Sequence, residues 1–163
     1  MNRGCFFDLD GTIVRAFHEG ETTRGPRTVE ETQILPGTQS AVQTLQDAGF
    51  LAFCVTNQPG LARLEVDLDE HDLIRCLVRL RIPKLRFYRC PHDGDWCACR
   101  KPRPGLIYRA AVEHELDLAR CWMIGDRETD REAAIRAGIP QSQAIKIETN
   151  QTIKEAVDWI LSR

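Results

Sequence analysis

No apolar run in this sequence approaches the ~18–20 residues needed to cross a bilayer. Its opening, Met1-Asn2-Arg3-Gly4-Cys5-Phe6-Phe7, holds one charge and a very short apolar run. That is too brief for the hydrophobic region of a signal peptide, and a cytoplasmic location is expected. Excess charge is missing too: 22 basic against 24 acidic residues leave a net −2. No global field recruits nucleic acid or membrane, and a polynucleotide is a disfavoured substrate. A disulfide framework is not expected: the seven cysteines are an odd number, and three of them, Cys90, Cys97 and Cys99, crowd one segment that favours metal binding. Cys5, Cys54 and Cys121 sit in apolar runs that read as buried strands, where they serve as small core residues. Internal repeats, low-complexity tracts and linkers are absent as well. The 163 residues, 42% hydrophobic and 28% charged, are predicted to form one soluble globular domain, 1–163.

What is present alternates. Apolar runs at Cys5–Leu9, Phe50–Val55, Leu85–Tyr88, Cys121–Ile124 and Ala144–Ile147 are short enough for buried strands. Helical patterns separate them. One is introduced by Pro36-Gly37, places Ala41, Val42, Leu45 and Ala48 on one face and is closed by Gly49. Another covers 69–80 with Leu73, Ile74, Leu77 and Leu80 at helical spacing; three more span about 104–116, 128–137 and 151–161. Residues 15–34 are polar and carry Gly and Pro, which reads as a long functional loop or flap. The alternation predicts an α/β fold: one doubly wound, Rossmann-like parallel sheet of about five strands, with helices on both faces. In such sheets ligands bind beyond the carboxyl ends of the strands, near the point where strand order reverses.

Four polar clusters occupy those positions. Asp8-Leu9-Asp10-Gly11-Thr12 offers one carboxylate able to attack phosphorus and another able to act as acid and base on the leaving group. Thr56-Asn57-Gln58 supplies hydroxyl and amide donors for phosphoryl oxygens. In Arg100-Lys101-Pro102, Lys101 is a point charge for phosphate and Arg100 a planar fork for a second anionic or polar group. Gly125-Asp126-Arg127-Glu128-Thr129-Asp130 adds carboxylates: Asp8, Asp126 and the backbone carbonyl of Asp10 supply oxygens for Mg²⁺. Asp130 is placed to orient a bound water or Lys101. Each cluster alone has an ordinary reading as a turn, a solvated face or an acidic helix start. All four ending successive strands in this order is what phosphoryl transfer requires.

Between the third strand and Lys101 lies Cys90-Pro91-His92-Asp93-Gly94-Asp95-Trp96-Cys97-Ala98-Cys99. Cys90, His92, Cys97 and Cys99 make a closed three-thiolate, one-imidazole set that suits a structural zinc ion. Because the loop runs straight into Arg100-Lys101, zinc there fixes where both cations point.

Assembled, FFDLDGT, TNQPGLAR, CPH…CACRKP and IGDRETD resemble the capless, zinc-containing branch of the haloacid dehalogenase-like phosphatases, nearly end to end. That branch holds the D-glycero-D-manno-heptose 1,7-bisphosphate 7-phosphatases and the histidinol-phosphate phosphatase domain. The resemblance implies Asp8 as nucleophile, Asp10 as acid/base, and Thr56 and Lys101 as stabilisers of the phosphoryl group. It implies Mg²⁺ on Asp8, Asp10 and Asp126, and substrate recognition by Asn57, Gln58, Arg100 and Arg127. It further implies a monomer acting on a small phosphorylated metabolite of carbohydrate metabolism, the heptose bisphosphate first and histidinol phosphate second, with flap and zinc loop in place of a cap. Where the branch commonly has arginine between the two aspartates, this chain has Leu9, which is expected to point away from the attacking carboxylate. Two other readings compete: a polynucleotide 3′-phosphatase, disfavoured by the zinc loop and the acidic balance, and a non-catalytic zinc-stabilised binding module, disfavoured by the complete set of reactive residues.

Overall fold

The computed structural model describes residues 1–148 and 151–163. Five strands form one sheet: β1 (Gly4–Phe7), β4 (Leu51–Asn57), β5 (Arg86–Cys90), β6 (Trp122–Gly125) and β7 (Ala144–Lys146). Their order is β5-β4-β1-β6-β7, and every neighbouring pair is parallel. The chain winds outward from central β1 first through β4 and β5, then through β6 and β7. The reversal of order therefore falls between β1 and β6, at the carboxyl end of β1.

Alternation in β1 explains the two cores. Cys5 and Phe7 enter one layer with Leu9, Val42, Leu45, Val78, Ile82, Val157 and Ile160. Phe6 enters the other with Phe53, Leu106, Ile107, Ala110, Ala133 and Ala134. Successive strand side chains point to opposite faces, so a strand buried on both sides is apolar throughout. Helices α1 (Thr38–Asp47), α3 (Leu68–Arg81) and α6 (Ile153–Leu161) cover the first face; α4 (Gly105–Glu113) and α5 (Glu128–Ala137) cover the second. Each fully buried large side chain contributes roughly 1.5–3 kcal/mol relative to exposure. Leu9 is among them, 1% exposed, so it does point into the core rather than the site. Among the described residues no helix is long and apolar enough to cross a membrane.

Three readings of the sequence change in detail. Residues 15–34 contain a small antiparallel hairpin, β2 (Phe17–Glu19) with β3 (Thr22–Arg24). Its strands are short and polar, without an apolar alternation to betray them. A one-turn helix, α2 (Pro59–Ala62), follows β4. In α3, the spacing of Leu73, Ile74, Leu77 and Leu80 does not mark the buried face: His71, Ile74 and Val78 are buried, while Leu73 and Leu80 are exposed. Helical spacing fits both stripes, and only packing selects between them.

Candidate active site

All four polar clusters meet at the carboxyl end of β1. Asp8 and Asp10 follow β1, Thr56 and Asn57 end β4, Lys101 follows the cysteine loop after β5, and Asp126 and Asp130 bracket the start of α5. Gly11 turns the chain with φ +88° beside the Asp126 carboxylate, a conformation glycine adopts freely. Glycine is also required at residue 25, where a methyl group would overlap the Asp10 carboxyl. The flap thus closes directly over Asp10.

Lys101 is the hub. Its buried ammonium donates to Asp8 Oδ1 at 2.6 Å and to the Val55 carbonyl at 2.7 Å, and it stands 2.6 Å from Asp130 Oδ1. Burial works to lower the lysine's pKa, but Asp8 and Asp130 outweigh it and hold the ammonium charged. The backbone of Lys101 is pinned by Asn57: Oδ1 accepts from the Lys101 amide at 2.9 Å, and Nδ2 donates to the Lys101 carbonyl at 3.0 Å. Gln58 does a parallel job on the other side of the cavity, its Nε2 donating to Asp10 Oδ2 at 2.8 Å and to Thr56 Oγ1 at 2.9 Å. Asp130 Oδ2 accepts from the Arg127 amide at 3.0 Å, fixing the first turn of α5.

Around one ammonium stand four carboxyl groups, a charge balance that asks for a further cation. Burial pushes Asp8 up to about 8, against the pull of Lys101 and with repulsion from Asp130 and Asp10 added. Burial likewise raises Asp10 to about 6, opposed by Gln58, Lys101 and Arg127. Asp126 is raised by burial and then by Asp130. Oxygens of Asp8, Asp126 and Asp130 lie within 4.8 Å of one another, close enough for Asp8 and Asp126 to share one ion. Buried Oδ1 atoms of Asp10 and Asp126 have no hydrogen-bond donor. A hard divalent cation fits this oxygen set. The Asp10 side chain is turned to Gln58 and the flap, which leaves only its backbone for such an ion.

The four metal-binding candidates of the cysteine loop also come together. Ligand atoms of Cys90, His92, Cys97 and Cys99 fall within 4.8 Å of one another. Individual edges run from 3.2 to 3.6 Å, near the about 3.8 Å edge of a zinc–thiolate tetrahedron. Arg100 donates to the His92 carbonyl at 3.1 Å, tying the cation to the loop.

A cavity of about 150 Å³ opens above Asp8, Asp10, Asn57, Gln58, Lys101 and Asp130. Arg100 and Arg127 line it as expected, but so do Arg24 and Arg27 from the flap and Arg63 after α2, none of which the sequence reading singled out. Arg27 pairs with Glu65 at 3.5 Å, and Arg63 with Asp93 of the cysteine loop at 2.7 Å. Flap, α2 segment and cysteine loop are thereby linked around the mouth. The signal was available: Gly25-Pro26-Arg27 is a stiff turn ending in a cation.

A D-glycero-beta-D-manno-heptose-1,7-bisphosphate 7-phosphatase of Helicobacter pylori is 30% identical over 98% of this chain and 97% of its own. The same-named protein of Rhodopseudomonas palustris is 36% identical over 83% of this chain and 79% of its own. The chain belongs to the haloacid dehalogenase-like phosphatases. A HAD-hydrolase-like family model matches residues 98–157 of the phosphatase. Its fold superposes on the D,D-heptose 1.7-bisphosphate phosphatase of B. bronchiseptica, solved with magnesium and phosphate, with a TM-score of 0.75, 25% identity and 99% coverage of both chains.

Proposed function

We propose that this phosphatase removes the 7-phosphate of a D-glycero-D-manno-heptose 1,7-bisphosphate through an aspartyl-phosphate on Asp8. Histidinol phosphate and a polynucleotide 3′-phosphate rank behind it, because the near-full-length relatives carry the heptose name and the basic residues at the mouth form a small ring rather than a long track. The observation that carries the reading is Lys101, buried and held between Asp8 and Asp130 at the floor of an arginine-rimmed cavity. One cation of this kind offsets the charge of the transferring group. Arg100 and Arg127 at the mouth suit a second anionic group on the substrate.

The steps follow from these side chains. An Asp8 oxygen attacks phosphorus while Asp10, its pKa raised by burial, acts as the general acid and donates a proton to the departing sugar oxygen. Asp10, now charged, accepts a proton from water as it attacks the aspartyl-phosphate, which restores Asp8 and releases inorganic phosphate. Lys101 and Thr56 steady the phosphoryl oxygens. Asn57 acts through Lys101, whose backbone it holds, and Gln58 through Asp10 and Thr56. Asp8, Asp126 and the Asp10 carbonyl would hold Mg²⁺, which when bound supplies charge neutralisation at the phosphoryl group. Cys90, His92, Cys97 and Cys99 would hold Zn²⁺ in a structural part. A single catalytic domain needs no further cap, since flap and cysteine loop already wall the cavity.

Phosphate release from a panel at equal concentration, with and without Mg²⁺, tests the assignment. The heptose 1,7-bisphosphate is expected to give the highest kcat/KM, at least about tenfold above its 7-monophosphate, a loss of roughly 1.4 kcal/mol for the missing anionic contact. Faster turnover of histidinol phosphate or a 3′-phosphorylated oligonucleotide would assign the enzyme to that substrate instead.

A further inference from the structure

The side chains suited to a divalent cation are divided between two cavities. Asp8 and Asp10 line the arginine-rimmed cavity, and Asp126 is not among its described lining residues. Asp126 instead lines a second cavity of about 530 Å³, together with Gly11 and Thr12. The walls of that cavity come from the start of the flap, of α1 and of α6, at Ala16, Thr38 and Ile153. Exposed Arg15, His18, Glu148 and Gln151 stand at its rim. Thr23 and Arg127 line both cavities, so the two spaces are neighbours.

The two linings suit different visitors. Arg24, Arg27, Arg63, Arg100 and Arg127 face the first cavity, and their N–H donors and positive charge favour an anion. The second shares only Arg127 of these and sets Arg15 and His18 against Asp126 and Glu148. Its inner wall offers acceptors. Thr12 Oγ1, Thr38 Oγ1 and Asp126 Oδ1 are buried and have no hydrogen-bond partner among the described residues. Thr12 is 1% and Thr38 0% exposed. A hydroxyl buried without a partner costs about 1–3 kcal/mol, which solvent in a polar cavity of this size removes. Mg²⁺ sheds its waters reluctantly. Those waters turn their hydrogens outward, so a hydrated cation needs acceptors along its path, and the second cavity has them.

We infer that the second cavity is the passage by which the hydrated cation reaches and leaves Asp126, separate from the passage taken by the phosphorylated substrate. A metal site needs an entry path as well as ligands. The inference rests on Asp126 as a metal ligand and is independent of which phosphate ester is cleaved. A phosphoryl group attacked by Asp8 fills the first cavity, only about 150 Å³, and leaves the second open. Cation exchange therefore does not have to wait for product to leave.

Mn²⁺ is the probe, and the full, zinc-loaded chain without substrate is the sample. The electron paramagnetic resonance of free Mn²⁺ gives the affinity, and stopped-flow transfer to a fluorescent chelator gives the exchange rate. Asp126→Asn should abolish binding; binding that survived it would overturn the ligand assignment and the inference with it. Ala16→Trp fills the second cavity away from the reacting groups. It should slow Mn²⁺ uptake and release at least about tenfold and leave the dissociation constant within about twofold of wild type. Val66→Trp narrows the first cavity; it should weaken binding of inorganic phosphate and leave Mn²⁺ exchange at the wild-type rate. Two surface charge changes give a check that folding does not confound. Glu148→Lys should lower the Mn²⁺ association rate about fivefold at low salt and less at high salt, whereas Glu65→Lys, at the first mouth, should change it less than about twofold. Wild-type exchange in an Ala16→Trp variant that melts like wild type would overturn the inference. So would exchange slowed by Val66→Trp, or a larger effect from Glu65→Lys than from Glu148→Lys.

Discussion

At the scale of single residues, Asp8 and Asp10 are chemically alike and are separated in role by their surroundings. Asp8 faces Lys101, and Asp10 faces Gln58 and the flap. Asp10→Asn should lower kcat by about 10²–10⁴-fold on a sugar phosphate, whose alkoxide needs a proton to leave. The loss should be much smaller on an aryl phosphate, whose phenolate leaves unaided; equal losses on both would remove the general-acid part assigned to Asp10. Acid–base linkage gives a second expectation. The folded pKa values of Asp8, about 8, and Asp10, about 6, lie above the unfolded value of 3.8. Their stabilising contribution is therefore complete below pH 3.8 and is lost as pH rises through 6 and 8. Metal-free protein should lose thermal stability over that window, and Mg²⁺ should raise Tm more at pH 8 than at pH 5. A Mg²⁺ effect that is flat with pH, or larger at pH 5, would contradict the charge balance described for the site. Asp8 and Asp126 were legible from the sequence because each follows an apolar strand within a compact motif. Asn57 holding Lys101 was not, since the two are 44 positions apart and only the parallel pairing of β4 with β5 brings their segments together.

Among the elements, the cysteine loop and the flap do the positioning that a cap would otherwise do. The loop joins β5 to Lys101 and contributes Cys90 and Cys97 to the core, with half-buried Cys99 packed against it; Trp96, its one large apolar side chain, is 73% exposed. Its shape is therefore expected to depend on a bound metal more than on burial. Cys97→Ser is expected to abolish zinc retention and to lower Tm by roughly 5–10 °C. Activity should fall with it and should not return with added Mg²⁺, because Lys101 is displaced along with the loop. Zinc content measured alongside a thermal melt decides this: a zinc-free variant with a wild-type melt and full activity would make the metal dispensable. The Cys/His cluster was readable because Cys-x-His and Cys-x-Cys spacing is local. The hairpin β2–β3 was hidden for the opposite reason, since its pairing buries almost nothing and leaves no alternation. Helix α3 shows a third case, in which periodicity gives two faces and the sheet chooses one.

Taken whole, the molecule is a doubly wound sheet whose strand reversal fixes where the chemistry can be. Order β5-β4-β1-β6-β7 brings residues 8, 56, 101 and 126 to one end although they are spread along most of the chain. Strand count and alternation were enough to predict the architecture; the arginine ring at the mouth required the flap's actual path. The most direct test of the central claim is mass spectrometry of enzyme quenched in acid during steady-state turnover with Mg²⁺ present. A phosphoryl group should appear on the peptide containing Asp8 and be absent in Asp8→Asn, whose kcat should be at least a thousandfold lower, or about 4 kcal/mol. Turnover by Asp8→Asn at an undiminished rate, or a phosphoryl group on any other side chain, would contradict the account.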